Sequence, residues 1–201
     1  MYAQILIGAS LLLAGYQDVR ERLVSDLVWI PAVVGAALVF ILAPSLWLLV
    51  VIRLGLVGAI SFGFTKYGSI GQADAIALVL VSTDPSPLTP IPTLFAGGVV
   101  ALSHIAFLFL RGYVGKSRVI PVAQFRREAR WIPKAIIKEG VRTEVEKDVN
   151  VSRESVDKIA DDSTSVEVQY GVPTVSYIGA GYLAYLAYLA IFDPGLLLGL
   201  A

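Results

Sequence analysis

Asp74 lies in Ile70-Gly71-Gln72-Ala73-Asp74-Ala75-Ile76, a little over a turn into an apolar segment, and a second isolated acid, Asp18, closes the first apolar segment of the chain. Carboxylates at membrane depth are costly enough to be functional suspects by default, and two at matched depth suggest a catalytic pair. Two such groups held together cannot both ionise, so the pair keeps one proton and that proton belongs to both. The ionised member takes a proton from water as it attacks a carbonyl, while the protonated member stabilises the developing oxyanion. This is aspartic peptide hydrolysis. Rival chemistries are thin: the chain has no cysteine, and its one histidine, His104, sits in an apolar run. Thiolate nucleophiles, a multi-histidine metal site and a Ser-His-Asp triad are therefore not expected, nor are a metal or any other cofactor.

The elements that must position the two acids are membrane helices. The chain has 201 residues, is 56% hydrophobic and has a mean hydropathy of +0.73, too apolar for a domain that must keep a polar surface in water. Spanning the hydrocarbon core takes ~20 apolar residues, and six candidate segments appear, at 2–16, 27–43, 46–64, 67–81, 93–110 and 174–192. The first lacks a basic leader and a cleavage signal and is expected to be retained. Net charge is zero, but twelve of the sixteen Lys and Arg fall between Arg111 and Lys158. By the positive-inside rule the links after segments one, three and five are cytoplasmic and both termini are outside. That topology puts Asp18 and Asp74 at similar depth near the inner face. Three regions follow: 1–111 with five helices and both acids, a soluble cytoplasmic subdomain at 112–171, and the last helix at 172–201. The fold class is membrane α-helical, with six spans and a small α+β insert.

Within the insert, 125–133 reads as a basic amphipathic helix with Trp131 at headgroup depth, Ser152 as a helix cap, and 165–170 as a strand. Gly71 and Ala73 leave room for a close approach to the backbone before Asp74, with Gly68 and Gly71 loosening the helix start; ordinary small-residue packing is the plainer alternative. Asp18 can equally be an interfacial acid pairing with Arg20 or Arg22, and Asp74 a buried partner of Arg53. Arg20, Arg22 and Lys66 read as cytoplasmic anchors, Ser25-Asp26 as the cap of the second helix, Asp193-Pro194 as the stop of the sixth, and Tyr182, Tyr185 and Tyr188 as a packing stripe.

Asp18-Val19-Arg20-Glu21-Arg22-Leu23-Val24-Ser25-Asp26-Leu27 resembles the first aspartate motif of the type IV prepilin peptidase family. Gly71-Gln72-Ala73-Asp74 resembles that family's Gly-x-Gly-Asp motif, with Ala73 in place of the second glycine, and the segment from Gly171 through Pro173 to Tyr182 is similar to the one that opens its last helix. The chain looks most like the archaeal prearchaellin and prepilin peptidases, intramembrane aspartic proteases. The resemblance implies six helices, a cytoplasmic insert, Asp18 and Asp74 as catalytic dyad, and Gly71, Gln72, Ala73, Arg20, Arg22 and Pro173 as motif or groove residues. It implies cleavage of the signal peptide of archaellin or type IV pilin-like precursors at the cytoplasmic face of the cell membrane. The zinc region and N-methylation of bacterial relatives do not carry over, because the cysteines are missing. Glu139, Glu144, Glu146 and Asp148 can attract the basic end of such a precursor.

Two other functions fit part of the pattern. One is a small ion- or proton-coupled transporter using Asp18, Arg53 and Asp74; the other is an inactive assembly scaffold of the same family. Nothing suggests nucleic acid, since the basic block is balanced by acids and has no accompanying aromatic platform.

Overall fold

A computed structural model of the chain describes residues 2–67, 71–86, 89–113, 116–145, 155–158, 161, 164–192 and 195. In chain order the elements are α1 (Tyr2–Glu21), α2 (Ile30–Leu42), α3 (Trp47–Lys66), α4 (Gln72–Val81), α5 (Pro90–Leu110), β1 (Arg118–Pro121), α6 (Val122–Arg127), β2 (Trp131–Lys138), β3 (Val141–Glu144), β4 (Ser165–Tyr170) and α7 (Thr174–Phe192). Short 3-10 turns at Asp26–Trp29 and Pro44–Leu46 lead into α2 and α3. The chain divides into two units, Met1–Asp18 with Val24–Leu102 and Pro173–Ala201, and Val19–Leu23 with Ser103–Val172.

The first unit is helical. Its core joins Ile7, Leu11 and Ala14 of α1, Trp29 and Ala32 at the start of α2, Ala77, Leu80 and Val81 of α4, and Val175, Ile178 and Tyr182 of α7. Three stretches are long and apolar enough to cross a membrane: Pro44–Lys66, Pro90–Leu110 and Thr174–Phe192. The first two bury only 11% and 17% of their most apolar windows and the third 44%. Thus α7 is an inner helix, while α3 and α5 turn apolar side chains outward, as lipid-facing helices do. Helices stand at all six positions expected from hydropathy. However, α4 has ten residues, about 15 Å of rise and half of a hydrocarbon core, and α1 carries Gln4, Ser10, Gln17, Asp18 and Arg20 along its length.

Small residues set how closely these helices approach. A Cβ on Gly181 of α7 would lie 2.1 Å from the Thr93 carbonyl and 2.5 Å from the Gly97 nitrogen of α5, so the two backbones touch where any larger residue would clash. A hydroxyl does similar work between α1 and α2. Ser10 accepts a hydrogen bond from the Ala32 N–H at 2.9 Å, satisfying a first-turn donor that has no partner within its own helix. Ser25 occupies the position expected of a cap but makes no side-chain cap bond; its N–H instead donates to the Gln17 side-chain oxygen at 2.9 Å.

The second unit is built on an antiparallel sheet of order β1-β4-β2-β3. β4 alternates inward and outward over 165–170 as the sequence pattern requires, and Val166 and Val168 face a core with Ile120, Val122, Phe125, Trp131, Ile136 and Val156. Glu139 and Gly140, at φ +51° and +81°, make the two-residue turn between β2 and β3, the conformation whose twist matches a hairpin. The expected amphipathic helix at 125–133 is corrected here. The helix stops at Arg127, and 131–138 is a strand whose Ile132, Ile136 and Ile137 suit a pleated surface, with Pro133 at a register shift. Phe125 and Trp131 are buried in this unit's core and are not displayed to a membrane surface. Ser152, Gly68, Asp193, Pro194, Glu146 and Asp148 lie outside the described residues.

Candidate functional site

Asp74 occupies the third position of α4, and its Oδ2 accepts a hydrogen bond from the Gly71 N–H at 3.0 Å. This is half of a capping box: glycine has no side-chain oxygen to return the bond, so the acid alone satisfies the helix entrance. Gly71 has an ordinary φ of −74°, so it is present for space. A Cβ there would stand 3.2 Å from Asp74 Oδ2. Gln72 is exposed, and the Ala73 methyl is half-buried against the core of the unit, not in open space.

Asp18 lies one turn after Ala14 on α1 and is 9% exposed. Its Oδ2 accepts from the Ser176 N–H at a long 3.4 Å, while the Ser176 hydroxyl donates to the Gly15 carbonyl at 2.7 Å. Ser176 belongs to the first turn of α7, entered through the buried Pro173. Asp18 thus faces the start of α7 and Asp74 the start of α4, and a helix N-terminus with its unpaired N–H groups favours negative charge. Ala14, one turn before Asp18, and Ala77, one turn after Asp74's neighbour Ala73, share one core with Val175 of α7. Two acids 56 positions apart in the sequence are therefore brought to one end of one helical unit, each beside a different helix entrance. Among the candidate residues, Asp18, Gly71, Gln72, Ala73, Asp74 and Pro173 belong to this unit. Arg20 and Arg22 belong to the other, where the Arg22 guanidinium lies 5.7 Å from the centre of the Tyr170 ring.

At the opposite end of α4 is a second polar centre, absent from the sequence-based expectations. Asp84 is fully buried. Its Oδ1 accepts from the Ser86 N–H at 2.8 Å and the Thr89 hydroxyl at 2.7 Å, and its Oδ2 from the Tyr182 hydroxyl at 2.6 Å. Arg53 reaches in from α3, donating from Nη2 to the Asp84 carbonyl at 2.6 Å and from Nη1 to the Ser86 carbonyl at 2.8 Å. Tyr185 shares a short hydrogen bond with the Ser86 hydroxyl. Irregular backbone inside a membrane protein is tolerated only where its polar groups are satisfied within the protein, and these side chains satisfy the turn between α4 and α5. Arg53 is therefore the partner of the 84–86 turn and not of Asp74. Tyr182 and Tyr185 use their hydroxyls here, whereas Tyr188 is 56% exposed and stacks with Phe192. The clue lay in the sequence: a lone Arg on an apolar helix needs an acceptor, and Asp84 is the acid nearest the C-terminal end of the neighbouring α4.

No three-residue group of histidine, aspartate and glutamate suited to a metal occurs among the described residues. Compared with protein-family models, curated proteins and solved structures, the chain matches none.

Proposed function

We propose that the chain is a membrane-embedded aspartic endopeptidase that cleaves the signal peptide of archaellin or type IV pilin-like precursors at the cytoplasmic face of the membrane. In this reading all six helices serve the bilayer, both termini lie outside, and the sheet-containing unit is cytoplasmic. The observation that carries it is the convergence of Asp18 and Asp74 at one end of the helical unit, beside a shared core that includes Ala14 of α1, Ala73 and Ala77 of α4 and Val175 of α7. The motifs around them supply the substrate class by resemblance.

The residues then act as follows. One carboxylate accepts a proton from water as the oxygen attacks the scissile carbonyl; the other, carrying the shared proton, hydrogen-bonds the oxyanion and then protonates the leaving amine. The starts of α4 and α7 favour the single negative charge that the pair retains. Gly71 and Gln72 are exposed beside Asp74, which leaves the backbone approachable by an extended peptide. A relay through Arg53 gains no support, since its guanidinium is engaged by the carbonyls of Asp84 and Ser86.

The test is cleavage of a precursor in membranes by the unaltered chain, Asp18→Asn and Asp74→Asn. Asparagine at 74 keeps an oxygen for the Gly71 N–H, so α4 retains its entrance and loss of cleavage reports chemistry. Either substitution is expected to abolish processing; activity that survives one of them removes the dyad.

A further inference from the structure

Several basic residues of the sheet unit are paired with acids: Arg142 with Glu144 at 2.9 Å and Glu167 at 2.8 Å, Lys138 with Asp161 at 2.8 Å, and Arg126 with Asp157 at 3.2 Å. Arg111 and Arg118 have no carboxylate partner among the described residues. The Arg111 guanidinium lies over the Phe107 ring at 5.0 Å. Arg118 lies over Tyr113 at 4.9 Å and donates to the Gly112 carbonyl at 3.1 Å.

Sheet register explains why Arg118 does not meet Glu167, the acid of the neighbouring strand. It stands opposite Val168, whereas Glu167 stands opposite Val119. Successive side chains alternate faces, so Glu167 lies on the other face of the sheet, held by Arg142. On the face of Arg118, the register Trp131 to Tyr170 places two further aromatics, and the rings of Tyr113, Trp131 and Tyr170 lie with centroids 5.6 to 6.3 Å apart. Arg130 packs over Tyr113 and Trp131, its charge met by Glu128 at 2.6 Å.

Position decides what these two guanidiniums are for. Leu110 ends a helix long and apolar enough to cross a membrane. Arg111 is the next residue, and Arg118 is bound to the carbonyl two residues beyond that end. Aromatic and basic groups directly after a span belong at headgroup depth, and the planar guanidinium fork matches phosphate oxygens in a way that a carbonyl bond and a ring face only pre-order. From this arrangement we infer that Arg111 and Arg118, supported by Tyr113, form a binding site for the phosphate of an anionic glycerophospholipid. The inference is independent of the peptidase reading.

The experiment is native mass spectrometry of the whole chain released from bilayers of mixed phosphatidylcholine and phosphatidylglycerol. The unaltered protein is expected to retain phosphatidylglycerol selectively. One surface charge is worth about fivefold in binding, so Arg111→Ala with Arg118→Ala lowers that retention on the order of 25-fold. Arg142→Ala, which removes a charge already neutralised, leaves it unchanged. Should the alanine pair not fold, Arg111→Gln with Arg118→Gln gives the same readout with packing better preserved. Equal retention by the altered and unaltered proteins overturns the site. Thermal stabilisation by inorganic phosphate alone, equal to that given by phosphatidylglycerol, overturns the lipid assignment in favour of a soluble anion.

Discussion

Tyr182 donates its hydroxyl to Asp84 at 2.6 Å, and neither residue is exposed. The bond ties the inner helix α7 to the turn that separates α4 from α5, so the helix whose first turn carries Asp74 is held at its far end by the Asp84 side chain. Tyr182→Phe removes one of the donors to Asp84 and should cost about 1–2 kcal/mol of stability. Asp84→Ala is expected to cost more, about 3–5 kcal/mol, because it strands the Ser86 N–H, two hydroxyls and the nearby Arg53 charge together. The double change should cost less than the sum, since both act on one network. Unfolding in mixed micelles by titrated denaturing detergent measures all three; an Asp84→Ala protein as stable as the unaltered chain would sink the account.

The helices and the alternating strand at 165–170 were legible because apolar periodicity acts locally. What escaped was set by contacts between distant segments. Ser82-Thr83-Asp84-Pro85-Ser86 has the composition of a solvated turn, and nothing local says that Tyr182, some hundred positions on, will bury it. Arg53 and Asp74 both lie in apolar segments, which suggests a pair, but Arg53 reaches the carbonyls of the turn after α4 instead. The basic neighbours of Trp131 suggest a membrane surface, but pairing of β2 with β4 turns it into the core. In the candidate site the acids themselves were legible as isolated charges. Their placement at the entrances of α4 and α7 was not, because the start of α7 and the end of α1 meet across 158 residues of sequence.

Gly71 offers the sharpest local probe of Asp74. Gly71→Ala leaves the backbone conformation acceptable, yet its methyl would stand 3.2 Å from the Asp74 oxygen and push the carboxylate by a few tenths of an ångström. Alanine is also a poorer helix entrance than glycine, so stability should fall by about 0.5–1 kcal/mol. If the chain is the peptidase proposed, catalysis is far more sensitive to such a shift: misplacement by 1 Å costs on the order of 100-fold, so a drop of roughly tenfold in kcat with KM little changed is expected. Precursor cleavage measured beside a thermal midpoint separates the two effects. A kcat equal to that of the unaltered chain would mean that the Asp74 carboxylate position does not govern the reaction.

In the sheet unit, Glu128 makes a pH-dependent contribution whose sign is fixed by its donors. Gln124 Nε2 donates to it at 3.1 Å, Arg130 Nε and Nη2 at 2.8 and 2.6 Å, and Trp131 Nε1 at 2.7 Å. These hydrogen bonds, Gln124's first, then those of Arg130 and Trp131, hold the carboxyl below the usual range. A carboxyl lowered in this way adds stability that is complete above its unfolded value, about 4.3, and disappears as pH falls through the folded one. Glu128→Gln keeps an acceptor for the Trp131 N–H and loses the charge. The substituted protein should therefore be the less stable of the two at neutral pH, and the gap should close as the solution is acidified below that point. Trp131 emission during denaturant unfolding, in a background with Trp29 and Trp47 replaced by phenylalanine, follows the gap directly. A gap that persists undiminished in acid would show that packing around Glu128, and not its charge, supplies the stability.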